Sequence, residues 1–138
     1  MIVIDSGPLV AAANIRDRYH EPCAGLLRSH PGPLLVPTTV VTEVCQLIER
    51  RQGSKAEAAF LSSFRAGLVL VEITTEDLSR MSELVETYAD LPLGVVDASV
   101  IAVAERLGLT EVTTLDRRHF TVVRPRHADV FSLLPERL

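Results

Sequence analysis

A three-layer α/β/α domain around a central, mainly parallel sheet is the fold class this sequence predicts. Three observations carry the prediction. Short apolar runs alternate with longer amphipathic ones from end to end. Apolar strands separated by helices belong in a parallel sheet covered on both faces. No repeat, low-complexity tract or linker interrupts the 138 residues. That length fits a single domain, 1–138, with little room for a second.

In chain order, Ile2 to Ile4 predict a short buried strand, followed by a helix through Ala13. Tyr19 to Ser29 predict a second helix, stopped by the Pro/Gly break "HPGP". Leu34 to Val36 form the next strand. A helix then runs from Pro37 and Thr38, with Thr38 as N-cap, to about Gln52, and Gly53 stops it. The helix starting near Ser54 closes on "FRAG", and the one starting near Val95 closes on "ERLG". Each puts Arg beside the carbonyl end of the helix dipole and Gly where a left-handed residue is favoured. Between them, Leu68 to Ile73 predict a strand and Thr75 to Ala89 an acidic amphipathic helix. Glu111 to Leu115 predict a further strand, and Val122 and Val123 a short edge strand.

Composition narrows the function. Hydrophobic residues make up 47%, enough for a sizeable core. Only 4% are aromatic and Trp is absent, which argues against a broad base-stacking platform for single strands. No run approaches the roughly 18 apolar residues of a membrane helix. Asp5 and Pro8 break the first apolar run and no basic segment precedes it, so it does not have the form of a signal peptide. Cys23 and Cys45, set in apolar helical patterns, predict buried free thiols and a reducing, cytoplasmic setting. His20 and Cys23 share a helix face, but no second ligand pair accompanies them as a zinc site requires.

Four carboxylates stand out. Asp5 ends the first strand and Asp116 follows "VTTL" in the same way. In an open parallel sheet both project where ligands bind, beyond the carboxyl ends of the strands. Either alone also suits a helix cap or turn. In "TTVVTEVCQLIERR", Glu43 lies three residues after Val40 and four before Leu47, on the apolar stripe. In "GVVDASVIAVAERLG", Asp97, in the first turn of its helix, precedes Val100, Ile101 and Ala104 by three, four and seven residues on the same buried face. Acids on an apolar stripe need a partner. A core salt bridge to Arg is one option. Four clustered carboxylates would repel by several kcal/mol (about 4 per close pair at an effective dielectric near 20) and call for a divalent cation. Oxygen ligands suit Mg²⁺ or Mn²⁺ over zinc, and such ions serve phosphodiester cleavage.

The charge balance then looks different. Net charge is −4, from eighteen acids against thirteen Arg and the single Lys55. With the four candidate ligands set aside, fourteen acids face fourteen bases. The bases cluster: "DRRHFTVVRPRH" carries Arg117, Arg118, Arg124 and Arg126, and Arg16 and Arg18 follow the first helix. Guanidinium grips phosphate in a bidentate way, and as a group these suit phosphate contact. His119 is assigned a structural or phosphate-adjacent place and not the role of general base. The acidic stretch Glu72 to Asp90, relieved only by Arg80, suits a solvated helix face or a partner surface.

Taken in order, "IDSGPLVA", "TTVVTEV", "DLPLGVVDASVIAVAERLG" and "TTLDRRHF" resemble a PIN domain, and more narrowly the VapC-type toxins of toxin–antitoxin pairs. Length, motif order and spacing agree along essentially the whole chain. The resemblance implies a Mg²⁺- or Mn²⁺-dependent ribonuclease with Asp5, Glu43, Asp97 and Asp116 as ligands. It also implies supporting roles for Ser6 and Thr114 at the family's small hydroxyl positions. The implied partners are an RNA substrate, a second copy of the chain in a homodimer, and a cognate antitoxin whose C-terminal segment covers groove and active site. Gly7-Pro8 departs mildly from the family pattern; Pro8 is tolerated in a first helical turn.

Other readings remain open at this point. A PIN nuclease of RNA maturation or decay shares the chemistry, and a metal-binding module without turnover shares the acids. A receiver-like phosphotransfer domain needs a strand-end Lys, whereas Lys55 starts a helix. A haloacid-dehalogenase-like phosphatase needs an acid two residues after Asp5, where Gly7 stands.

Overall fold

The computed structural model describes residues 1–138. Five strands, β1 (Ile2–Ile4), β2 (Leu34–Pro37), β3 (Leu68–Val71), β4 (Glu111–Thr113) and β5 (Ser132–Leu134), form one sheet. Their order is β3-β2-β1-β4-β5, and every neighbouring pair is parallel. The expected α/β/α architecture is what the chain adopts. No helix is long and apolar enough to cross a membrane.

Seven helices connect the strands: α1 (Ser6–Ala12), α2 (His20–Ser29), α3 (Thr38–Gln52), α4 (Ser54–Ser62), α5 (Thr75–Thr87), α6 (Val95–Leu107) and α7 (Arg117–Val122). From β1 the chain steps outward through β2 to β3, then crosses back to β4 and on to β5. Because parallel crossovers are right-handed, the reversal puts the later helices on the opposite face from the earlier ones. Helices α1 to α4 pack on one another, and α5 packs along α6. The reversal also opens a crevice between the carboxyl ends of β1 and β4, the place where ligands bind in such sheets. The core is aliphatic: Ile2, Val3, Ile4, Val36, Val40, Val44, Ile48, Val100, Ile101, Val103 and Val112 are fully enclosed, with Phe120 as the largest buried side chain.

Local signals set most boundaries. Gly108 adopts the left-handed conformation (φ 69°) that ends α6, as "ERLG" predicts. Gly7 allows a close approach: a Cβ there would lie 3.3 Å from the side chain of Leu115, so α1 packs tightly on the segment after β4. Three expectations are corrected. Thr38 is the first residue of α3, not its cap; Pro37 precedes it, and no side chain caps that end. The "FRAG" helix closes as a 3₁₀ turn over Ser63–Arg65. Val122 and Val123 are not an edge strand: Val122 ends α7, and the edge is β5, ten residues on. Both cysteines are free. Cys23 is buried, which pushes its thiol up to about 11, whereas Cys45 is only half-buried.

Candidate metal centre

Asp5 is the residue that turns β1 into α1. Its N–H donates to the Thr113 carbonyl (2.9 Å), which fixes the end of β1 against the end of β4. The side chain is 5% exposed. Thr114 Oγ1 donates to Asp5 Oδ2 at 2.7 Å and accepts from the Asp116 N–H at 2.9 Å. One buried hydroxyl therefore couples two acids from neighbouring strand ends. Ser6 Oγ is also buried and has no hydrogen-bond partner.

Asp116 divides its carboxylate. Oδ1 accepts from the His119 N–H (3.1 Å) and caps α7, while Oδ2 lies 2.5 Å from His119 Nδ1. The same nitrogen is 2.8 Å from Asp97 Oδ2, in the first turn of α6. Ligand atoms of Asp97, Asp116 and His119 all lie within 4.8 Å of one another. Glu43 is half-buried on α3 between Val40 and Leu47, and its charge is felt at Asp5. A hydroxyl pair joins the two helices that carry Glu43 and Asp97: Thr39 Oγ1 and Ser99 Oγ are 2.6 Å apart.

Electrostatics mark the centre as short of positive charge. Burial pushes the Asp5 carboxyl up to about 6; its bonds to Thr114 and the Ser6 N–H pull the other way, and Glu43 and Asp116 add repulsion. Burial, then Asp5 and Asp116, push Asp97 up to about 7 against the opposing pull of His119. Burial disfavours the His119 cation, but Asp116 and Asp97 outweigh it and raise the imidazole above its usual value. Two raised carboxyls and a raised imidazole form a small basin that holds protons because nothing else neutralises it. Asp97 has no Arg partner; the core salt bridge that the sequence left open is replaced by the contact with His119. Such a donor set, oxygens from three acids plus an orphaned buried hydroxyl nearby, fits a hard divalent cation.

The basic residues fare differently. Arg118, Arg16 and Arg18 are exposed. Arg18 stacks its guanidinium over the Tyr19 ring at 5.2 Å, and Arg16 lines a cavity with Arg51 and Gln52 at the far end of α3. Arg117 turns inward. Its Nη2 donates to the Pro135 carbonyl beyond β5, and Nε is buried without a partner. Its position ties the end of the chain to α7, a different task from a phosphate contact. The residue undervalued from sequence is His119. Its place three residues after Asp116, one helical turn on, was the available signal.

Comparison with known proteins places this geometry in context. The family model described as "PIN domain" matches residues 2–124. The chain is 29% identical, over 97% of its own length and 100% of the relative's, to "Ribonuclease VapC26" of Mycobacterium tuberculosis. It is 28% identical, over 91% of its length and 99% of the relative's, to "23S rRNA-specific endonuclease VapC20" of the same species. The crystal structure of VapC20, described as a sarcin-ricin loop cleaving toxin, superposes with a TM-score of 0.75 at 23% identity, covering 81% of this chain and 87% of that one. VapBC2 from Rickettsia felis, solved bound to a DNA fragment from its promoter, superposes at 0.69 with 15% identity, covering 96% and 98%.

Proposed function

The chain belongs to the PIN domain family, and from that premise we propose that it is a divalent-metal-dependent endoribonuclease, the toxin of a toxin–antitoxin pair. One observation carries the reading: Asp5, Asp97 and Asp116 meet at the crevice between β1 and β4, Asp5 and Asp116 through the Thr114 hydroxyl and Asp97 and Asp116 through His119 Nδ1, where burial and mutual repulsion push the Asp5 and Asp97 carboxyls up. Asp5, Glu43, Asp97 and Asp116 hold Mg²⁺ or Mn²⁺ in this reading. The bound ion supplies charge neutralisation for the phosphodiester and activation of the attacking water.

The chain's own residues do the rest. Thr114 fixes the relative position of Asp5 and Asp116 through its one hydroxyl. The Thr39–Ser99 pair holds α3 against α6, and so Glu43 against Asp97. The Ser6 hydroxyl, buried and unpaired, is free to bond a ligand or water in the centre. Arg118, Arg16 and Arg18 draw in the RNA backbone, and the fold acts as one domain over 1–138. The names of the relatives, a ribonuclease and a 23S rRNA-specific endonuclease, support RNA as the substrate. A toxin–antitoxin complex from Klebsiella pneumoniae and VapBC2 among the similar structures support a cognate antitoxin as partner, and in this reading the toxin itself is a homodimer. We place its action in the cytoplasm, where RNA and reduced thiols coexist.

The test is cleavage of structured RNA by the purified chain. Cleavage should appear with Mg²⁺ or Mn²⁺, vanish in EDTA, and fall by about a hundredfold or more in Asp97→Asn. Expression alone should arrest growth, and co-expression of a cognate antitoxin should restore growth. Cleavage that survives exhaustive chelation sinks the metal mechanism. Metal-dependent cleavage without toxicity would point to a housekeeping nuclease of the same family.

A further inference from the structure

His119 stands in the centre in a way that neither capping nor packing requires. The α7 cap needs only its backbone N–H, which Asp116 Oδ1 accepts. Its neighbour Phe120, fully enclosed in the core, anchors the helix. The imidazole itself is turned so that Nδ1 lies 2.8 Å from Asp97 Oδ2 and 2.5 Å from Asp116 Oδ2. Nδ1 carries at most one hydrogen, and one N–H cannot point straight at two acceptors. As a donor, therefore, it serves at least one of them poorly.

As a ligand it serves both. Two donor atoms in adjacent positions of an octahedral site, each about 2.1 Å from the ion, lie about 3 Å apart. The nitrogen-to-oxygen separations at this centre approach that value before any ion is bound. Two helices fix the three atoms: Asp97 is held in the first turn of α6, the Asp116 carboxylate caps α7 while its N–H bonds the Thr114 hydroxyl, and His119 lies one turn along α7. We propose that His119 Nδ1 is itself a metal ligand beside Oδ2 of Asp97 and Oδ2 of Asp116. The site is then a mixed nitrogen–oxygen site that prefers first-row transition ions such as Mn²⁺ over Mg²⁺. Mn²⁺ takes carboxylate oxygens and still accepts an imidazole nitrogen, as the later first-row ions do more strongly, whereas Mg²⁺ favours oxygen ligands throughout and keeps its waters. The inference rests on the divalent centre proposed above and adds to it a ligand and a preference.

Pulsed EPR of the Mn²⁺-loaded wild-type chain gives a readout independent of turnover. Coupling of the manganese to an imidazole ¹⁴N is expected, and it should be absent in His119→Ala and His119→Asn, the second keeping a donor group of similar reach. Calorimetric titration with each metal alone should show Mn²⁺ affinity falling about tenfold or more in both variants, and Mg²⁺ affinity by less than about threefold. Circular dichroism of each variant confirms that the fold is kept. Bound Mn²⁺ without nitrogen coupling overturns the inference and leaves the acidic centre standing. So does Mn²⁺ affinity that stays equal or rises in His119→Ala, the result expected if the ring merely fills the place of the ion. A wild-type chain that binds neither metal overturns both.

Discussion

Arg117 and Arg118 are adjacent in sequence and carry the same charge, yet the fold gives them opposite tasks. Arg117 bonds the Pro135 carbonyl and is half-buried, whereas Arg118, two residues after Asp116, lies in solvent. Arg117→Ala should lower the melting temperature, because it frees the segment that follows β5, at a cost of about 1–3 kcal/mol for a hydrogen bond to a charged donor. Arg118→Ala should leave the melting temperature unchanged, weaken RNA binding across sequences, and reduce the salt slope of binding by about one. Equal effects of the two substitutions on RNA affinity would restore the phosphate role for both. A charge cluster in a sequence does not tell which side chain folds back on the chain. The acids were more legible, because a carboxylate on an apolar stripe, as at Glu43 and Asp97, has few reasons to be there. His119 was less legible because it sits in "RRHF", which looks like a solvated surface until Asp116 is seen to share its helical turn.

At the level of elements, the strands and helices that follow clear periodicity were readable, and the C-terminal end was not. Val122 and Val123 suggested a strand through their β-branched side chains. Asp116 decides otherwise, because its carboxylate caps α7 and Phe120 locks that helix into the core. Strand β5 is only three residues, Ser132–Leu134, and gains its identity from pairing with β4, which no local pattern announces. The join of α5 to α6 was equally hidden. Thr74 and Asp77 form a reciprocal capping box at the start of α5, and Asp77, 3% exposed, also receives Arg106 from the end of α6. Burial would raise the Asp77 carboxyl, but Arg106 and the Thr74 bonds outweigh it and hold it below the usual range. Asp77→Ala removes the acid's half of the box and the carboxylate partner of Arg106, whose Nη2 keeps its bond to the Glu72 carbonyl. The loss should be about 2–3 kcal/mol, read as a lower denaturant midpoint at unchanged slope. Thr74→Ala, which loses only its part of the box, should cost about 1 kcal/mol. A change at Asp77 no larger than that at Thr74 would mean that the Arg106 contact contributes nothing.

For the whole molecule, these shifts combine into a stability profile that metal should invert. Asp77, held low, contributes stability that is full above the ordinary carboxylate range and is lost as pH falls through it. Asp5 and Asp97 work in the other direction. Their folded values of about 6 and about 7 exceed the unfolded value of 3.8, so the folded chain binds more protons between those limits. Stability therefore declines as pH rises from the ordinary carboxylate range through both folded values, and His119, raised above its own usual value, extends the decline upward. The metal-free chain should be most stable near about pH 5 and progressively less stable toward about pH 8. A divalent ion competes for the same deprotonated groups, so its stabilisation should grow over that interval, reaching about 3 kcal/mol when the ion is a hundredfold above its Kd. Melting curves at about pH 5 and pH 8, in EDTA and in Mn²⁺, measure both slopes. Asp97→Asn supplies the internal control. In EDTA it should melt higher than wild type near pH 8, by about 1–3 kcal/mol in stability after screening, and no higher near pH 5, where Asp97 already carries a proton. In Mn²⁺ near pH 8 the advantage should shrink or reverse, because the substituted centre has lost a ligand charge. A lower melting point for Asp97→Asn in EDTA near pH 8 would mean that the carboxylate stabilises the fold through its contact with His119 more than it strains it through Asp5 and Asp116.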